Sequence, residues 1–289
     1  MQKTKSTQRS ASTPLRIAID SGGTFTDCVW LQESTLQILK VFSTPADPAQ
    51  AIADAVKRIA ADAQEIVVLH GTTVGTNTLL QRKGARVAFV TTRGFEDSIE
   101  IGRQQRPKLY DFFFEKDPAL SPAELRFGVD ERTSAEGIVL RAPTPQSLQT
   151  LAAQIAEQKP QAIALSLLFS FANPQNEKAV VVALASLNLP LSVSHQILPE
   201  FREYERASTV LVNAYLQPVM QSYLERLREQ LSLRNPTLSQ KAREAGPSTL
   251  PRQASESLRI SPGGSDAAKT AQVWSEATGD NEAASATTR

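Results

Sequence analysis

The residues whose types and spacing best suit chemistry are Asp20, Gly22, Gly23, Thr24 and Thr26, which lie between two short apolar runs. Glycines let the backbone approach an anion closely, and successive amides that point the same way form an anion-binding concavity. The threonine hydroxyls could add hydrogen bonds, and Mg²⁺ prefers a carboxylate together with water and phosphate oxygens. A plain Gly-Gly hairpin would explain the glycines alone, but the whole set favours a loop that binds phosphate and Mg²⁺ through Asp20.

A second candidate segment, His70-Gly-Thr-Thr73, directly follows the run 65–69, which is apolar after Glu65. Open α/β sheets usually bind ligands beyond the carboxyl ends of their strands. Gly71 could admit a ligand, and Thr72 and Thr73 could either contact its oxygens or cap the following helix. The residues leave both roles open, and a lone histidine such as His70 is more often packed than catalytic.

The apolar periodicity of the chain predicts the elements that position these segments. Strands are expected at 16–20, 28–31, 36–42, 65–69 and 87–91, with helices at 49–61 and 76–83. This order predicts an α/β fold with a mixed five-stranded sheet, in which the apolar strand 65–69 is covered on both faces. A second α/β stretch should cover residues 140–231 and end in a long helix over 207–231, kinked at Pro218.

Composition limits the kind of protein that this chain can be. Its 289 residues are 41% hydrophobic, which allows a sizeable core, and 31 basic residues balance 30 acidic ones. That balance argues against nucleic acid or an anionic membrane as the main partner. No apolar run approaches the ~20 residues of a membrane helix. Cys28 is the single cysteine of the sequence, so the chain cannot form an internal disulfide, which fits a cytoplasmic protein. We interpret Cys28 as a small buried residue.

The two ends of the chain are polar, and we expect disorder at residues 1–14 and 232–289. The folded region should therefore run from 15 to 231, with a phosphate-loop lobe at 15–105. The charged cluster Arg202, Glu203, Glu205 and Arg206 is typical of a solvated helix face.

Several blocks of the folded region resemble the N-terminal region of the hydantoinase/5-oxoprolinase family, of the hydantoinase A type. That family belongs to the actin-like ATPases, whose fold is ribonuclease H-like. The blocks are Asp20-Ser-Gly-Gly-Thr-Phe-Thr-Asp27, His70–Ala85, the segments 90–95, 101–104 and 106–111, Phe127–Arg132 and residues 194–209.

The resemblance implies ATP-dependent opening of a cyclic amide such as 5-oxoproline or a hydantoin, with Mg²⁺ and a partner subunit of the hydantoinase B type. Asp20 would be the catalytic, metal-linked carboxylate. The phosphate contacts would be Gly22, Gly23, Thr24 and Thr26. Some relatives in the group carboxylate ketones instead.

The resemblance ends near residue 231, and the family's second phosphate loop and adenosine-binding glycines do not follow. We therefore expect the N-terminal part of such an enzyme without its second ATPase lobe. A non-catalytic fragment or interaction subunit is one alternative. A sugar or acyl kinase is another, since it shares the phosphate loop, although the blocks near His70 and Arg106 argue against it.

Overall fold

The computed structural model describes residues 14–44, 47–61, 63, 65–104, 110, 113 and 117–234. Most of the two segments expected to be disordered, 1–14 and 232–289, lies outside the described residues. The exceptions are Pro14 and residues 232–234, and the latter three are helical. The described chain forms two compact units. The first contains the residues up to Thr76 and those from Gln221 onward, and the second contains Asn77–Met220.

The first unit is built on a four-stranded mixed sheet. Its elements are β1 (Leu15–Ser21), β2 (Phe25–Gln32), β3 (Thr35–Phe42), α1 (Pro48–Ile59) and β4 (Ile66–Thr72), and α2 (Val74–Leu80) follows. The strand order is β3-β2-β1-β4, with β1 antiparallel to β2 and parallel to β4. Because β1 and β4 are parallel neighbours, their carboxyl ends bring Asp20 and Gly71 into register.

One face of this sheet packs against α1, which contacts β1, β2 and β3. Pro48 begins the helix, where its fixed φ suits the first turn. The core side chains of this layer are Ile17, Ile19, Cys28, Ile52 and Val56. The expectation that strand 65–69 is covered on both faces is wrong, because Val67 and Leu69 are exposed.

The second unit contains a separate parallel sheet. Its elements are β5 (Val87–Thr92), α3 (Ser98–Ile101), β6 (Arg126–Val129), β7 (Arg132–Thr133), β8 (Val139–Arg141), α4 (Pro145–Glu157), β9 (Ala162–Ser166), α5 (Gln175–Leu184), β10 (Leu191–Val193) and α6 (Ser194–Ile197). The order is β10-β9-β5-β6, and β7 pairs only with β8. Side chains of β5 enter two apolar clusters, Ala88 and Val90 on one side and Val87 and Phe89 on the other.

The mixed α/β architecture is confirmed, but the five-stranded sheet is not. The strand at 87–91 was expected in the same sheet as the other four, and the structure pairs it with β6 and β9 in a separate sheet instead. The physical reason is coverage: every residue of β5 is buried, so it occupies the centre of a sheet with cores on both faces.

The long helix is confirmed and is longer than expected. Helix α7 spans Glu203–Arg234 and contains Pro218. The first turn contains Glu203 and Glu205. Their negative charges stabilise the positive end of the helix dipole. No helix within the described residues is long and apolar enough to span a bilayer.

Candidate functional site

The turn between β1 and β2 is held by backbone and serine contacts. The Gly22 amide donates to the Phe25 carbonyl at 3.0 Å, and the Ser43 amide donates to the Thr24 carbonyl at 2.9 Å. The Ser43 hydroxyl donates to the Gly22 carbonyl at 2.8 Å. These bonds occupy the carbonyls of the turn. Within the described part of the chain, the Gly23 and Thr24 amides donate to no protein acceptor.

A side chain would be crowded at one glycine of the turn and would have room at the other. A Cβ on Gly22 would lie 3.3 Å from the Phe25 carbonyl oxygen, closer than ordinary contact. A Cβ on Gly23 would meet no atom within 4 Å. The turn is therefore open at Gly23, where two exposed amides are available to an anion.

Asp20 lies beside this turn with its carboxylate exposed. A Cβ on Gly71 would lie 3.4 Å from Asp20 Oδ1, so the glycine leaves that oxygen accessible. Asp27, the antiparallel partner of Asp20, forms an ion pair with Lys40 at 3.1 Å. Among the described residues no cation pairs with Asp20. An exposed, uncompensated carboxylate beside open amides fits a hydrated Mg²⁺ ion with bound phosphate.

Thr26 has a different environment from the other residues of the loop. It is fully buried, and its hydroxyl lies 2.9 Å from Ser43 Oγ and 3.3 Å from Ser21 Oγ. The hydroxyl therefore joins the start of β2 to the end of β1 and to the residue after β3. Thr24, by contrast, is exposed at the turn.

The end of β4 and the residue after it provide the helix-capping contact considered from the sequence. Thr72 Oγ1 accepts a hydrogen bond from the Val74 amide at 3.3 Å, which caps the start of α2. The Thr73 amide donates to the Ser21 carbonyl at 3.4 Å, next to the end of β1. Gly71 and Thr73 are exposed, whereas Thr72 is half-buried.

A contact between His70 and Tyr223 has no signal in the sequence. His70 Nε2 lies 2.5 Å from the Tyr223 hydroxyl oxygen, on the strand side opposite to Asp20. Burial lowers the pKa of His70. The Ile19 backbone and the Asp20 carboxylate raise that pKa by smaller amounts, so the net shift is downward. Burial raises the pKa of Tyr223, against a hydrogen bond with Thr72. Tyr223 was expected only as one apolar-face residue of the long helix.

The second unit contains a buried polar network of its own. Glu177 is fully buried and accepts hydrogen bonds from the Leu167 amide at 3.0 Å and the Ser194 hydroxyl at 2.7 Å. Its other oxygen lies 2.5 Å from His195 Nδ1. Each of these groups has a hydrogen-bond partner within the protein, so we interpret the network as structural. Among the described residues no three His, Cys, Asp or Glu side chains form a metal cluster.

The expectation of a solvated charged face at the start of α7 is wrong for Arg206. Its side chain is fully buried, donates to the Leu167 carbonyl at 2.7 Å and pairs with Glu203. Burial raises the pKa of Glu203, and the neighbouring Arg206 opposes that shift. Arg206 thus fixes the start of α7 to the end of β9.

Comparison with known proteins decides the family. The profile of the hydantoinase/oxoprolinase N-terminal region matches residues 16–187, more than half of the chain. This chain belongs to the hydantoinase/oxoprolinase family. The resemblance expected from the sequence is thereby confirmed.

Other members of the hydantoinase/oxoprolinase family show how much of such a protein this chain represents. It is 35% identical to caprolactamase subunit alpha of Pseudomonas jessenii, over 77% of this chain and 34% of the relative. It is 33% identical to the acetophenone carboxylase gamma subunit of Aromatoleum aromaticum, over 71% of this chain and 31% of the relative. It is 31% identical to 5-oxoprolinase of Saccharomyces cerevisiae, over 75% of this chain and 20% of the relative.

The fold of the family agrees with this match. The crystal structure of the ATP-dependent caprolactamase from Pseudomonas jessenii superposes with a TM-score of 0.69 at 32% identity, over 76% of this chain and 34% of that one. This chain therefore spans about a third of the caprolactamase subunit and about a fifth of the yeast enzyme. The relatives named here include an ATP-dependent caprolactamase, a 5-oxoprolinase and an acetophenone carboxylase, and two of them are named as subunits.

Proposed function

We propose that this chain provides the phosphate- and Mg²⁺-binding part of an ATP-dependent hydrolase of cyclic amides, such as 5-oxoproline or a hydantoin. The observation that carries the proposal is the combination of the accessible Asp20 carboxylate with the open amides of Gly23 and Thr24. The actin-like ATPase classification of the first unit belongs to the same proposal. Family membership supports the reaction type.

The residues take the following roles. Asp20 holds Mg²⁺, directly or through water, and the ion when bound supplies charge neutralisation for the phosphates. The Gly23 and Thr24 amides and the Thr24 hydroxyl bind phosphate oxygens, and Gly22 shapes the turn. Thr26, with its buried hydroxyl, acts through the shape of the loop. Gly71 leaves space beside Asp20, and Thr73 lies near enough to the end of β1 to contact a ligand oxygen, while Thr72 caps α2.

The reaction itself is a phosphoryl transfer followed by hydrolysis. The amide oxygen attacks the γ-phosphorus of ATP, and ADP leaves. The phosphorylated amide carbon is then electrophilic enough for water to add, the ring C–N bond breaks, and a further water releases inorganic phosphate from the acyl phosphate. Catalysis of the first step consists of positioning and charge stabilisation, which is what the Asp20 carboxylate and the turn amides contribute.

A chimera tests this proposal. Residues 16–231 of this chain would replace the matched region of caprolactamase subunit alpha, and the chimera would be assayed for ATP-dependent caprolactamase activity with the enzyme's other subunits. We expect activity that Asp20→Asn abolishes and that Asp27→Asn retains, because Lys40 already compensates Asp27. Full activity of the Asp20→Asn chimera would contradict the proposal, as would a folded and assembled chimera without activity.

A second candidate function is a part of an ATP-dependent carboxylase. It is favoured by the 33% identity to an acetophenone carboxylase gamma subunit, which approaches the identity to the caprolactamase subunit. The two functions differ in co-substrate, because carboxylation consumes bicarbonate and hydrolysis does not. The names of these relatives as subunits also support a partner chain, which we propose is of the hydantoinase B type.

A further inference from the structure

One face of the first unit's sheet carries a row of large apolar side chains in contact with solvent. We call it the open face, and its apolar residues are Leu31, Leu36, Ile38, Phe42, Val67 and Leu69. All of these except Val67 are between 58% and 78% exposed. Alternate residues of a strand point to opposite faces, and these six lie on the side away from α1.

The register shows that the open face is continuous across the sheet. Leu36 of β3 pairs with Leu31 of β2, and Ile38 pairs with Val29. Val29 pairs with Ala18 of β1, which pairs in turn with Leu69 of β4. Directly opposed side chains lie close enough to touch, so the row through Ile38 and Leu69 is apolar across all four strands, whereas Val67 lies opposite Arg16 of β1.

Such a face is unusual on a single soluble sheet. Antiparallel strands with one solvated face normally alternate apolar inward and polar outward, and β3 places Leu36, Ile38 and Phe42 outward instead. Contiguous exposed apolar patches on soluble proteins generally mark interaction surfaces. Within the described residues, α1 packs on the opposite face of this sheet.

The charges on the open face are Arg16 and one row near the β1–β2 turn, and Phe42 lies beyond that row, opposite Phe25. Lys40, Asp27, Asp20 and Gly71 form one row, in which Lys40 and Asp27 compensate each other. This row lies next to the β1–β2 turn. A polypeptide that covers the apolar rows would therefore be largely apolar itself and would border Asp20.

We propose that the open face binds the family polypeptide that corresponds to the two thirds of caprolactamase subunit alpha outside the region matched here. The relatives contain about twice as much further chain as the part that this chain matches, so a cover of sufficient size exists in them. The inference rests on the proposed function, because it identifies the polypeptide that completes the site around Asp20. The contacts between the open face and this polypeptide are apolar, and Ile38 and Leu69 lie near the centre of the contact surface.

A binding experiment without ATP tests the inference separately from catalysis. The probe is the part of Pseudomonas jessenii caprolactamase subunit alpha outside the matched region, produced as a separate chain and titrated against the full 289-residue chain by calorimetry. We expect saturable binding that Ile38→Asp and Leu69→Asp each weaken about tenfold or more. Val182→Asp is the matched control, because Val182 is 76% exposed on α5 of the second unit, and it should leave binding unchanged.

The alternative occupants give distinguishable results. Since Ile38 and Leu69 are exposed, both variants should have melting temperatures within about 2 °C of that of the original protein if the face is free in this chain. A large loss of stability would mean that this chain covers its own face. Light scattering would detect a homodimer. If the Ile38→Asp substitution dissociated that homodimer, the open face would bind a second copy of this chain. Either result would overturn the inference, as would absence of probe binding or equal binding by the Ile38→Asp variant.

Failure here differs from failure of the proposed function. Probe binding that depends on Ile38, combined with an Asp20→Asn chimera of full activity, would retain the docking surface and reject the phosphate site. The reverse pattern would retain the phosphate site and reject the docking surface.

Discussion

His70 Nε2 lies 2.5 Å from the hydroxyl oxygen of Tyr223, although 153 positions separate the two residues. The contact joins the carboxyl end of β4 to the part of α7 that belongs to the first unit. Tyr223 is buried, so its hydroxyl needs a partner inside the protein. The pair thus anchors the helix next to the segment that contains Gly71 and Thr72.

Removing the Tyr223 hydroxyl should destabilise the protein. Tyr223→Phe keeps the ring and leaves His70 Nε2 without this partner, which should lower the free energy of unfolding by about 1–2 kcal/mol in urea denaturation. Tyr204→Phe is the control, because the Tyr204 hydroxyl makes no hydrogen bond to a described residue. Equal stability of the two variants would show that the contact contributes nothing.

Stability should fall as the pH drops below neutrality, in part because of His70. Burial lowers the folded-state pKa of His70 below its usual value of 6.5, so the unfolded chain binds the proton more readily. The contribution is complete above pH 6.5 and is lost as the pH falls toward the lowered value. Urea denaturation between pH 7.5 and about 5 should show a smaller loss for His70→Gln. An identical pH dependence would contradict this assignment.

Cys28 should be unreactive in the folded protein. It is buried, and burial together with nearby Asp27 raises the pKa of its thiol to about 11. At pH 8 about one such thiol in a thousand would be ionised, even before its lack of exposure is considered. Iodoacetamide should label it only after denaturation. Rapid labelling of native protein would mean that β2 opens readily.

Two glycines should respond very differently to alanine. A Cβ on Gly84 would lie 2.1 Å from Cε1 of Tyr215, so Gly84→Ala must displace a buried ring and should cost about 1–3 kcal/mol or more. A Cβ on Gly23 would meet nothing, so Gly23→Ala should be nearly neutral for stability. Thermal denaturation of the pair checks this. Comparable melting temperatures would mean that Tyr215 does not pack on Gly84.

The geometry of the β1–β2 turn was accessible from the sequence because it is local. Asp20, the two glycines and the strands around them lie within one hairpin, so their types and spacing already determine the turn. The parallel register of β1 with β4 was not predicted from the sequence. The sequence blocks shared with the family then indicated the family and its reaction, which local chemistry alone did not indicate.

Long-range choices were not accessible in the same way. The apolar run of β5 specifies a central strand but not which sheet it joins, and burial on both faces decided in favour of β6 and β9. Arg206 looked solvated because its neighbours are charged, yet it donates to the Leu167 carbonyl, which lies 39 positions away. The contact of Tyr223 with His70 has no sequence signal either.

The most direct test of the central claim follows the backbone amides of the β1–β2 turn by NMR during titration with ATP. We predict that the Gly23 and Thr24 amide resonances shift only when Mg²⁺ is present, with millimolar affinity, since about 4 kcal/mol of binding energy is available from phosphate and metal contacts alone. Asp20→Asn should remove the response, and Asp27→Asn should preserve it because Asp27 is already paired with Lys40. Unchanged amides in the original protein, or an unaltered response in Asp20→Asn, would contradict the assignment of this loop as the nucleotide phosphate site.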